Sequence, residues 1–213
     1  MKKIPTLFKR SFRNHKIIGI SDQVEEGLEW VLTGDGCEAT IKVDGSCCAI
    51  FDGVLYKRYD AKNGKPVPEG AIKCQDEADP ITGHLPCWVK CSKDNKSDQW
   101  FFAAFDNLRG YGYCDNCTYE AIGPHFQGNP YKLEEDILIK HGASKINDYP
   151  KTYEEIRDFL KATPIEGIVF WKDGEPMCKI KRTDFGFEWP PCGNAIYRGD
   201  IIYIQNLNME NND

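Results

Sequence analysis

The stretch EATIKVDGSCCAIFDGVLYKRYD, residues 38–60, predicts an antiparallel β-sheet and contains a candidate reactive lysine. Residues 38–44 alternate between polar and apolar side chains, a period of two that is typical of a strand with one buried face. Residues 47–51 and 54–59 flank an Asp-Gly dipeptide, which favours a two-residue hairpin turn. Lys42, in the tetrapeptide KVDG, is therefore either an ordinary strand lysine or a nucleophile beside a hairpin.

The composition is that of a globular protein. The chain has 213 residues, of which 41% are hydrophobic, and a formal net charge of −6, which by itself does not favour nucleic-acid binding. Apolar runs stay well below the roughly 18 residues of a membrane helix. The basic N-terminus lacks the apolar stretch of a secretory signal. We expect a monomer without membrane contact in the cytoplasm or another reducing intracellular compartment.

The ten cysteines are predicted to be reduced, because disulfides are rare in such compartments. Cys114 and Cys117 form a CxxC pair, and His84, Cys87 and Cys91 lie upstream. These five residues are candidate zinc ligands. The upstream group lacks CxxC spacing, so unliganded thiols are the favoured interpretation.

The remaining chain predicts short strands separated by a few helices. Residues 60–96 are rich in Lys, Asp, Gly and Pro, which indicates a long surface loop. Ser97 is predicted to cap a helix whose apolar stripe begins at Trp100, and Thr152 with Glu155 forms a capping box for another. Further strands are predicted at residues 118–122 and 136–140. Strands at residues 167–171 and 177–181 flank a second Asp-Gly turn and predict a second hairpin. This pattern predicts an α+β domain of antiparallel sheets.

A nucleophilic lysine requires neighbouring charged groups. An ammonium group with the ordinary pKa of about 10.4 is protonated at neutral pH, so burial or neighbouring cations must lower that pKa. Lys179 and Lys181 are two residues apart in a predicted strand and therefore share a face. An anion such as phosphate would offset their repulsion. Glu166, at the entrance of another strand, is a candidate metal ligand; a solvated basic strand and a surface carboxylate are the alternatives.

Two further charged residues fall within predicted strands. Glu120 has largely apolar neighbours, and a buried carboxylate requires a bonding partner. That partner is either the hydroxyl pair of a ribose or an arginine in the core. Arg58, with Lys57 beside it, lies on the hairpin strand next to Lys42.

Five segments in chain order resemble motifs I, Ia, III, IV and V of the covalent nucleotidyltransferase superfamily, which includes RNA ligases, DNA ligases and mRNA capping enzymes. They are KVDGS, YKRY, TYEAIGP, EGIVFW and KIKR, spread over residues 42–182. Ser46 and residues 120–130 are more similar to ATP-dependent RNA ligases, and Cys47 stands where capping enzymes usually have arginine. The Cys-rich arrangement is similar to the RNA ligase 1 family of single-domain 5′–3′ RNA ligases.

The resemblance implies a nucleotidyltransferase (ATP-grasp-like) domain over residues 1–204, with a flexible tail at 205–213. About thirty residues follow Lys181, too few for the OB-fold domain of capping enzymes and DNA ligases. The chemistry implied is attack of Lys42 on ATP to form lysyl-AMP, with Glu166 engaging magnesium, for which manganese can substitute. The implied nucleotide-binding residues are Glu38, Arg58, Glu120, Lys179 and Lys181, supported by Asp44, Ser46, Lys57 and Arg182. Tyr119, Phe126 and Tyr131 are all candidates for stacking on adenine.

The resemblance also implies the later steps of the reaction. AMP passes to the 5′-phosphate of an RNA, and a 3′-hydroxyl then attacks that end, which suits RNA repair. The residues expected to bind the RNA are Lys57, Lys62, Lys65, Lys172 and Arg182. The alternatives are a capping-type guanylyltransferase, a DNA nick ligase without its OB domain, or a nucleotide-binding relative that does not ligate.

Overall fold

The computed structural model describes residues 1–13, 16–62, 65–80, 82–110 and 116–192. In chain order the elements are β1 (Phe8–Arg13), β2 (Lys16–Val24), α1 (Trp30–Thr33), β3 (Glu38–Lys42), β4 (Ser46–Phe51), β5 (Val54–Ala61), β6 (Ile72–Lys73), β7 (Leu85–Lys90), α2 (Gln99–Gly110), β8 (Thr118–Ile122), β9 (Ile137–Lys140), α3 (Tyr153–Ala162), β10 (Gly167–Lys172) and β11 (Glu175–Lys181). Short 3-10 helices at Lys96–Asp98 and Arg182–Phe185 precede α2 and follow β11. The predicted α+β class with antiparallel sheets is confirmed.

The described residues fall into two compact units. The large-sheet unit comprises residues 1–3 and 44–141, and the small-sheet unit comprises residues 4–43 and 142–192. Assignment of residues 1–204 to a single catalytic domain stays a prediction, and the tail at 205–213 lies outside the described residues.

The large-sheet unit contains a six-stranded sheet in the order β6-β7-β5-β4-β8-β9, with every neighbouring pair antiparallel. Helix α2 contributes Ala104, Phe105 and Leu108 to the core of this unit. The predicted β4–β5 hairpin is confirmed. Asp52 and Gly53 have φ values of 51° and 74°, and the turn needs glycine because both central residues are left-handed.

The small-sheet unit contains a three-stranded sheet, β11-β10-β3, and the separate β1–β2 hairpin. The predicted β10–β11 hairpin is confirmed, with a second Asp-Gly turn between its strands. Thr152 and Glu155 form the predicted capping box of α3, whose Ile156 and Leu160 are fully buried. Burial of this helix face closes the core behind the three-stranded sheet.

The prediction of a loop over residues 60–96 was wrong where β5, the short strand β6, β7 and the first residue of the 3-10 helix at Lys96 fall within it. Strand β5 continues to Ala61, and β7 pairs along it, with Arg58 opposite Trp88. Cys87 and Trp88 are buried. The apolar run is short, contains Pro86 and has polar flanks, so its strand character comes from long-range pairing that the local sequence does not reveal.

Three predicted boundaries also change. Asn95 caps the 3-10 turn ahead of α2, accepting a hydrogen bond from the Ser97 amide, so Ser97 lies inside the turn. Trp100 is 36% exposed and stacks on His125 instead of entering the core.

Strand β3 ends at Lys42. Thr40 is buried within this strand, and its hydroxyl accepts a hydrogen bond from the Trp171 indole at 2.8 Å. Strand β9 begins at Ile137, one residue later than predicted.

No helix among the described residues combines the length and the apolar character that crossing a bilayer would require.

Candidate active site

The register of the three-stranded sheet brings Lys42 and Lys181 to either side of one residue. Gly167, on the central strand β10, pairs with Lys42 of β3 and with Lys181 of β11. Glu166 immediately precedes it and is 7% exposed. Its Oε2 lies 2.5 Å from Lys42 Nζ, and its Oε1 lies 3.9 Å from Lys181 Nζ. One buried carboxylate therefore faces both ammonium groups.

Lys179 completes this lysine cluster, which we define as Lys42, Lys179 and Lys181 around Glu166. Cys178 and Ile180 are fully buried on the opposite face of β11, so the predicted shared face of Lys179 and Lys181 is confirmed. The pKa of Lys179 is lowered to about 8, first by burial and then by the positive charges of Lys42, Lys181 and Arg10; Glu166 acts in the opposite direction. Positive charge is thus in excess here, which favours an anionic ligand.

The lowered pKa of Lys179 predicts pH-dependent anion binding. In the free protein this lysine is charged below pH 8 and neutral above it, so an anion binding above pH 8 must also bring a proton. We expect the affinity for inorganic tripolyphosphate, measured by calorimetry, to fall by up to about tenfold per pH unit above 8. Lys179→Arg should flatten this slope because arginine stays charged.

The exposed Lys161 on α3 provides the matched control, since Lys161→Arg should keep the slope of the parent protein. An unchanged slope in Lys179→Arg would contradict the assignment of the titration to Lys179.

Gly167 is required by close packing of backbones. A Cβ atom at this position would overlap the Ile180 carbonyl oxygen and lie 3.0 Å from Lys181 Cα. Any side chain here would push β11 away from β10 at the lysine cluster. The close packing of β10 against β11 therefore explains the glycine in the EGIV segment.

We expect Gly167→Ala to lower the free energy of unfolding by about 1–3 kcal/mol and to weaken tripolyphosphate binding, because the displaced strand carries Lys179 and Lys181. Urea unfolding and calorimetry measure the two effects. Gly174→Ala is the control: φ is +77° in the hairpin turn and no neighbouring atom lies within 4 Å, so only stability should fall. Equal loss of anion binding in both variants would refute this packing argument.

Arg10 and Arg182 occupy different environments near the end of β11. Arg10 pairs with the buried Asp184 at 2.8 Å, and the other Asp184 oxygen accepts a hydrogen bond from the Lys181 amide. Arg182 is 6% exposed and donates to the carbonyl oxygens of Leu160 and Thr163 at the end of α3. The Arg182 guanidinium is thus bonded within the protein, and its predicted contact with nucleotide or RNA stays a prediction.

Glu38 lies at the far end of β3 from Lys42. It pairs with Trp171 in the sheet, and its carboxylate forms an exposed ion pair with Lys145 at 2.7 Å. The side chain is 61% exposed. The structure does not bring Glu38 into the lysine cluster, and its proposed place near adenine stays a prediction.

Glu120 is held by a histidine that the sequence analysis did not single out. Its Oε2 lies 2.8 Å from His141 Nε2, and His141 Nδ1 lies 2.9 Å from the Thr118 hydroxyl. Thr118 and Glu120 are on β8, and His141 follows β9, the strand paired with it. The alternative of a core arginine partner is thus incorrect. His141 is far from Glu120 in sequence, so only the strand register could have identified it.

The loop between β3 and β4 packs tightly against β8. A Cβ atom at Gly45 would lie 2.6 Å from Ile122 Cγ2 and 2.9 Å from Glu120 Cγ, which explains the glycine of KVDG. The Asp44 amide donates to the Tyr131 hydroxyl at 2.7 Å. Ser46 pairs with Ala121 in the sheet. Asp44 and Ser46 thus lie beside the strand that carries Glu120.

The three candidate adenine-stacking aromatics are all buried in the large-sheet unit. Tyr119, Phe126 and Tyr131 are 0%, 5% and 2% exposed. Tyr119 and Phe126 belong to the hydrophobic core, and Tyr131 accepts the hydrogen bond from Asp44. All three rings are thus buried in the protein without ligand, and which of them stacks on adenine stays open.

Arg58 and Lys57 neighbour each other on β5 but differ in surroundings. Arg58 Nε donates to Asp60 at 2.9 Å, and another guanidinium nitrogen donates to the Met1 carbonyl. The pKa of Arg58 is raised because Asp60 outweighs the opposing effect of burial. Lys57 is ion-paired with the buried Asp98 ahead of α2. Lys57 therefore anchors the start of α2, and its predicted nucleotide and RNA contacts stay predictions.

The remaining predicted RNA contacts divide between the two units. Lys62 and Lys65 are exposed in the large-sheet unit. Lys172 is half-buried in the small-sheet unit, with its ammonium group 5.2 Å from the centre of the Trp30 ring. Lys62 and Lys65 thus have the exposure that an RNA contact requires.

The cysteines that the structure describes are all free thiols, as predicted. The described candidates for zinc binding, His84, Cys87, Cys91 and Cys117, belong to no cluster of potential ligands close enough to share an ion. Cys114 lies outside the described residues, so the CxxC pair stays a prediction.

Comparison with known proteins matches residues 113–212 to the model of the RNA ligase 1 family. RNA ligase 1 of Pongo abelii is 24% identical, covering 79% of this chain and 73% of the relative. The same protein of Danio rerio is 27% identical, with 71% and 68% covered, and that of Rattus norvegicus is 27% identical, with 93% and 82% covered.

Among solved structures, an apo RNA ligase variant of Naegleria gruberi aligns with 84% of this chain and 59% of its own length, at 16% identity and a TM-score of 0.41. The family model and the alignments with relatives thus agree that the chain is similar to RNA ligase 1 proteins, and they support its assignment to an RNA ligase family.

Proposed function

We propose that the chain is an ATP-dependent 5′–3′ RNA ligase that forms lysyl-AMP on Lys42. The observation that carries the proposal is the lysine cluster, in which the ammonium groups of Lys42 and Lys181 face the Glu166 carboxylate and, together with burial, their charges lower the pKa of Lys179. Such an excess of positive charge suits a polyphosphate. The relatives' name, RNA ligase 1, supports RNA as the substrate to be joined.

In the proposed first step, the neutral Nζ of Lys42 attacks the α-phosphorus of ATP. The bond between that phosphorus and the bridging oxygen of pyrophosphate breaks, the proton of Nζ leaves to solvent, and a phosphoramidate remains. Lys42 Nζ lies 2.5 Å from Glu166 Oε2 in the resting protein. The ion pair must therefore separate before the attack.

The neighbouring lysines have a clear part in this reaction. Lys179 and Lys181 would neutralise the phosphate charge that develops during transfer. Arg58 and Glu120 are proposed to bind the phosphates and the ribose hydroxyls. Glu166 supplies the carboxylate oxygens that magnesium prefers, and the bound ion would add positive charge against the phosphates.

The later steps transfer AMP to RNA. A 5′-phosphate oxygen of the RNA attacks the phosphorus of lysyl-AMP, and the P–N bond breaks to release Lys42. The 3′-hydroxyl of a second end then attacks the adenylated 5′-phosphate, and AMP leaves as a phosphodiester forms. Joining ends of this kind suits the repair of broken RNA.

The test is label transfer from nucleotides labelled at the α-phosphate, in the presence of magnesium. We expect acid-labile, alkali-stable label on the protein from ATP, followed by joining of RNA strands bearing a 5′-phosphate and a 3′-hydroxyl. Label from GTP alone would indicate a capping-type guanylyltransferase. Joining of nicked DNA in place of RNA would indicate a DNA ligase, and an unlabelled protein would refute the proposal.

A further inference from the structure

The large-sheet unit contains a cluster of potential metal ligands that the proposed reaction does not explain. The thiol of Cys47, a carboxylate oxygen of Glu120 and a ring nitrogen of His141 all lie within 4.8 Å of one another. All three residues are half-buried. Within the described part of the chain, no other group of His, Cys, Asp and Glu side chains meets this spacing.

The sheet fixes the positions of these residues. Cys47 on β4 and Glu120 on β8 are direct cross-strand partners, so their side chains emerge on the same face. His141 follows β9, and its amide donates to the Thr118 carbonyl, which continues the pairing with β8. Two paired strands and the residue that follows a third therefore hold one ligand each.

We propose that Cys47, Glu120 and His141 bind one zinc ion. A thiolate, an imidazole and a carboxylate are the three ligand types that zinc accepts, whereas magnesium prefers oxygen ligands alone. Three protein ligands leave the fourth position of a tetrahedral ion open to water or another molecule.

Thr118 provides the outer support that a histidine ligand needs. With the Thr118 hydroxyl accepting a hydrogen bond from His141 Nδ1 at 2.9 Å, the lone pair of Nε2 faces Glu120 and is free to coordinate. Nε2 lies 2.8 Å from the Glu120 carboxylate, so the tautomer protonated at Nε2 would donate a hydrogen bond to it in the metal-free protein. Moving the ring proton of His141 from Nε2 to Nδ1 would thus replace the hydrogen bond to Glu120 with two metal ligands, His141 Nε2 and the Glu120 carboxylate.

The charges around Cys47 are compatible with a bound cation. Burial, together with the negative charge of Glu120, raises the pKa of the Cys47 thiol to about 12. A divalent ion would supply the positive charge that a buried thiolate lacks, and the thiol proton would leave to solvent. The positive charges of Arg58 and the N-terminal amine, with a hydrogen bond from the Arg58 guanidinium, oppose this rise in pKa. The same guanidinium donates to Asp60 at 2.9 Å.

Zinc at this position would also regulate the proposed ligase, a consequence that rests on the proposed function. A Glu120 carboxylate that coordinates zinc cannot accept hydrogen bonds from ribose hydroxyls in the same orientation. We therefore expect zinc to inhibit formation of lysyl-AMP in competition with ATP.

Cobalt(II) added to the metal-free, reduced full-length chain tests the site directly. We expect a thiolate-to-cobalt charge-transfer band that zinc abolishes by displacement. Cys47→Ser should remove the band, and His141→Gln should weaken binding by more than about tenfold, since even outer-shell changes cost 10–100-fold. Thr118→Val should weaken binding by about tenfold. Cys117→Ser, which alters the CxxC pair, should leave the band unchanged.

Two results would overturn the zinc site: a band that survives Cys47→Ser but disappears in Cys117→Ser, or no thiolate band in the parent protein. Thermal unfolding of each variant establishes that it is folded before its spectrum is read. Metal binding is measured without ATP or RNA, so it succeeds or fails independently of ligation. If the protein binds cobalt through Cys47 but is never labelled with AMP, the proposed ligase activity is refuted and the proposed zinc site is retained.

Discussion

Replacing Lys42 with alanine is expected to abolish transfer of label from α-labelled ATP to the protein, a loss on the order of 10⁴-fold or more. Lys42 Nζ is the group we propose to form the bond to phosphorus, and alanine offers no nucleophile in its place. Joining of a pre-adenylated RNA bypasses this step, so it should fall much less. The measurement is label per mole of protein, with the two RNA reactions run in parallel.

Two further variants sharpen the Lys42 result. Lys42→Arg keeps a positive charge opposite Glu166 but removes the nucleophile, so it should also be unlabelled while remaining as stable as the parent. Lys161→Ala removes an exposed lysine on α3 and should be labelled normally. Full labelling of Lys42→Arg would place the AMP on another residue and refute our assignment.

Replacing Glu166 with glutamine is expected to act differently on tripolyphosphate binding and on formation of lysyl-AMP. The change removes the carboxylate shared by Lys42 and Lys181, so positive charge in the cluster rises. Binding of tripolyphosphate without metal should become equal or tighter. Formation of lysyl-AMP should nevertheless fall by about 100-fold or more, because the proposed magnesium ligand is lost. Calorimetry and label transfer give the two values.

The same substitution should also affect stability. Glu166 is 8% exposed at its side chain, and removing its charge leaves neighbouring ammonium groups without their anion. We expect a loss of about 1–3 kcal/mol in the free energy of unfolding, partly restored by tripolyphosphate. Glu175→Gln, at the exposed start of β11, is the matched control and should change none of these properties. Weakened tripolyphosphate binding in Glu166→Gln would contradict the charge argument.

The parts of the fold that local sequence encodes were predictable. The two Asp-Gly hairpins need left-handed residues at fixed places, and the capping box of α3 is contained in four consecutive residues. Strand β7 was not predictable, because its pairing with β5 crosses more than twenty residues of polar chain. The alternation of polar and apolar residues could not predict the burial of Thr40 either, because that burial depends on a hydrogen bond from the indole of Trp171.

The shared face of Lys179 and Lys181 was predictable for a similar reason, since alternate residues of a strand lie on the same side. Its meeting with Lys42 requires the register in which Gly167 faces both outer strands, and no local pattern encodes that. The positions of His141 and Cys47 beside Glu120 also depend on strand register, so no local pattern predicts them. The buried partners of Lys57 and Arg182, which are Asp98 and the carbonyls ending α3, could not be predicted because they are distant in sequence.

The lowered pKa of Lys179 has a consequence for chemical labelling. With a pKa of about 8, close to a quarter of this amine is neutral at pH 7.5, whereas an ordinary surface lysine is almost entirely protonated. Amine-selective acylating reagents should therefore modify Lys179 ahead of the exposed lysines that outnumber it. Peptide mapping after brief acylation would report whether the cluster is occupied, and a weak electrophile attached to a phosphate-like scaffold would be a rational starting point for a covalent inhibitor.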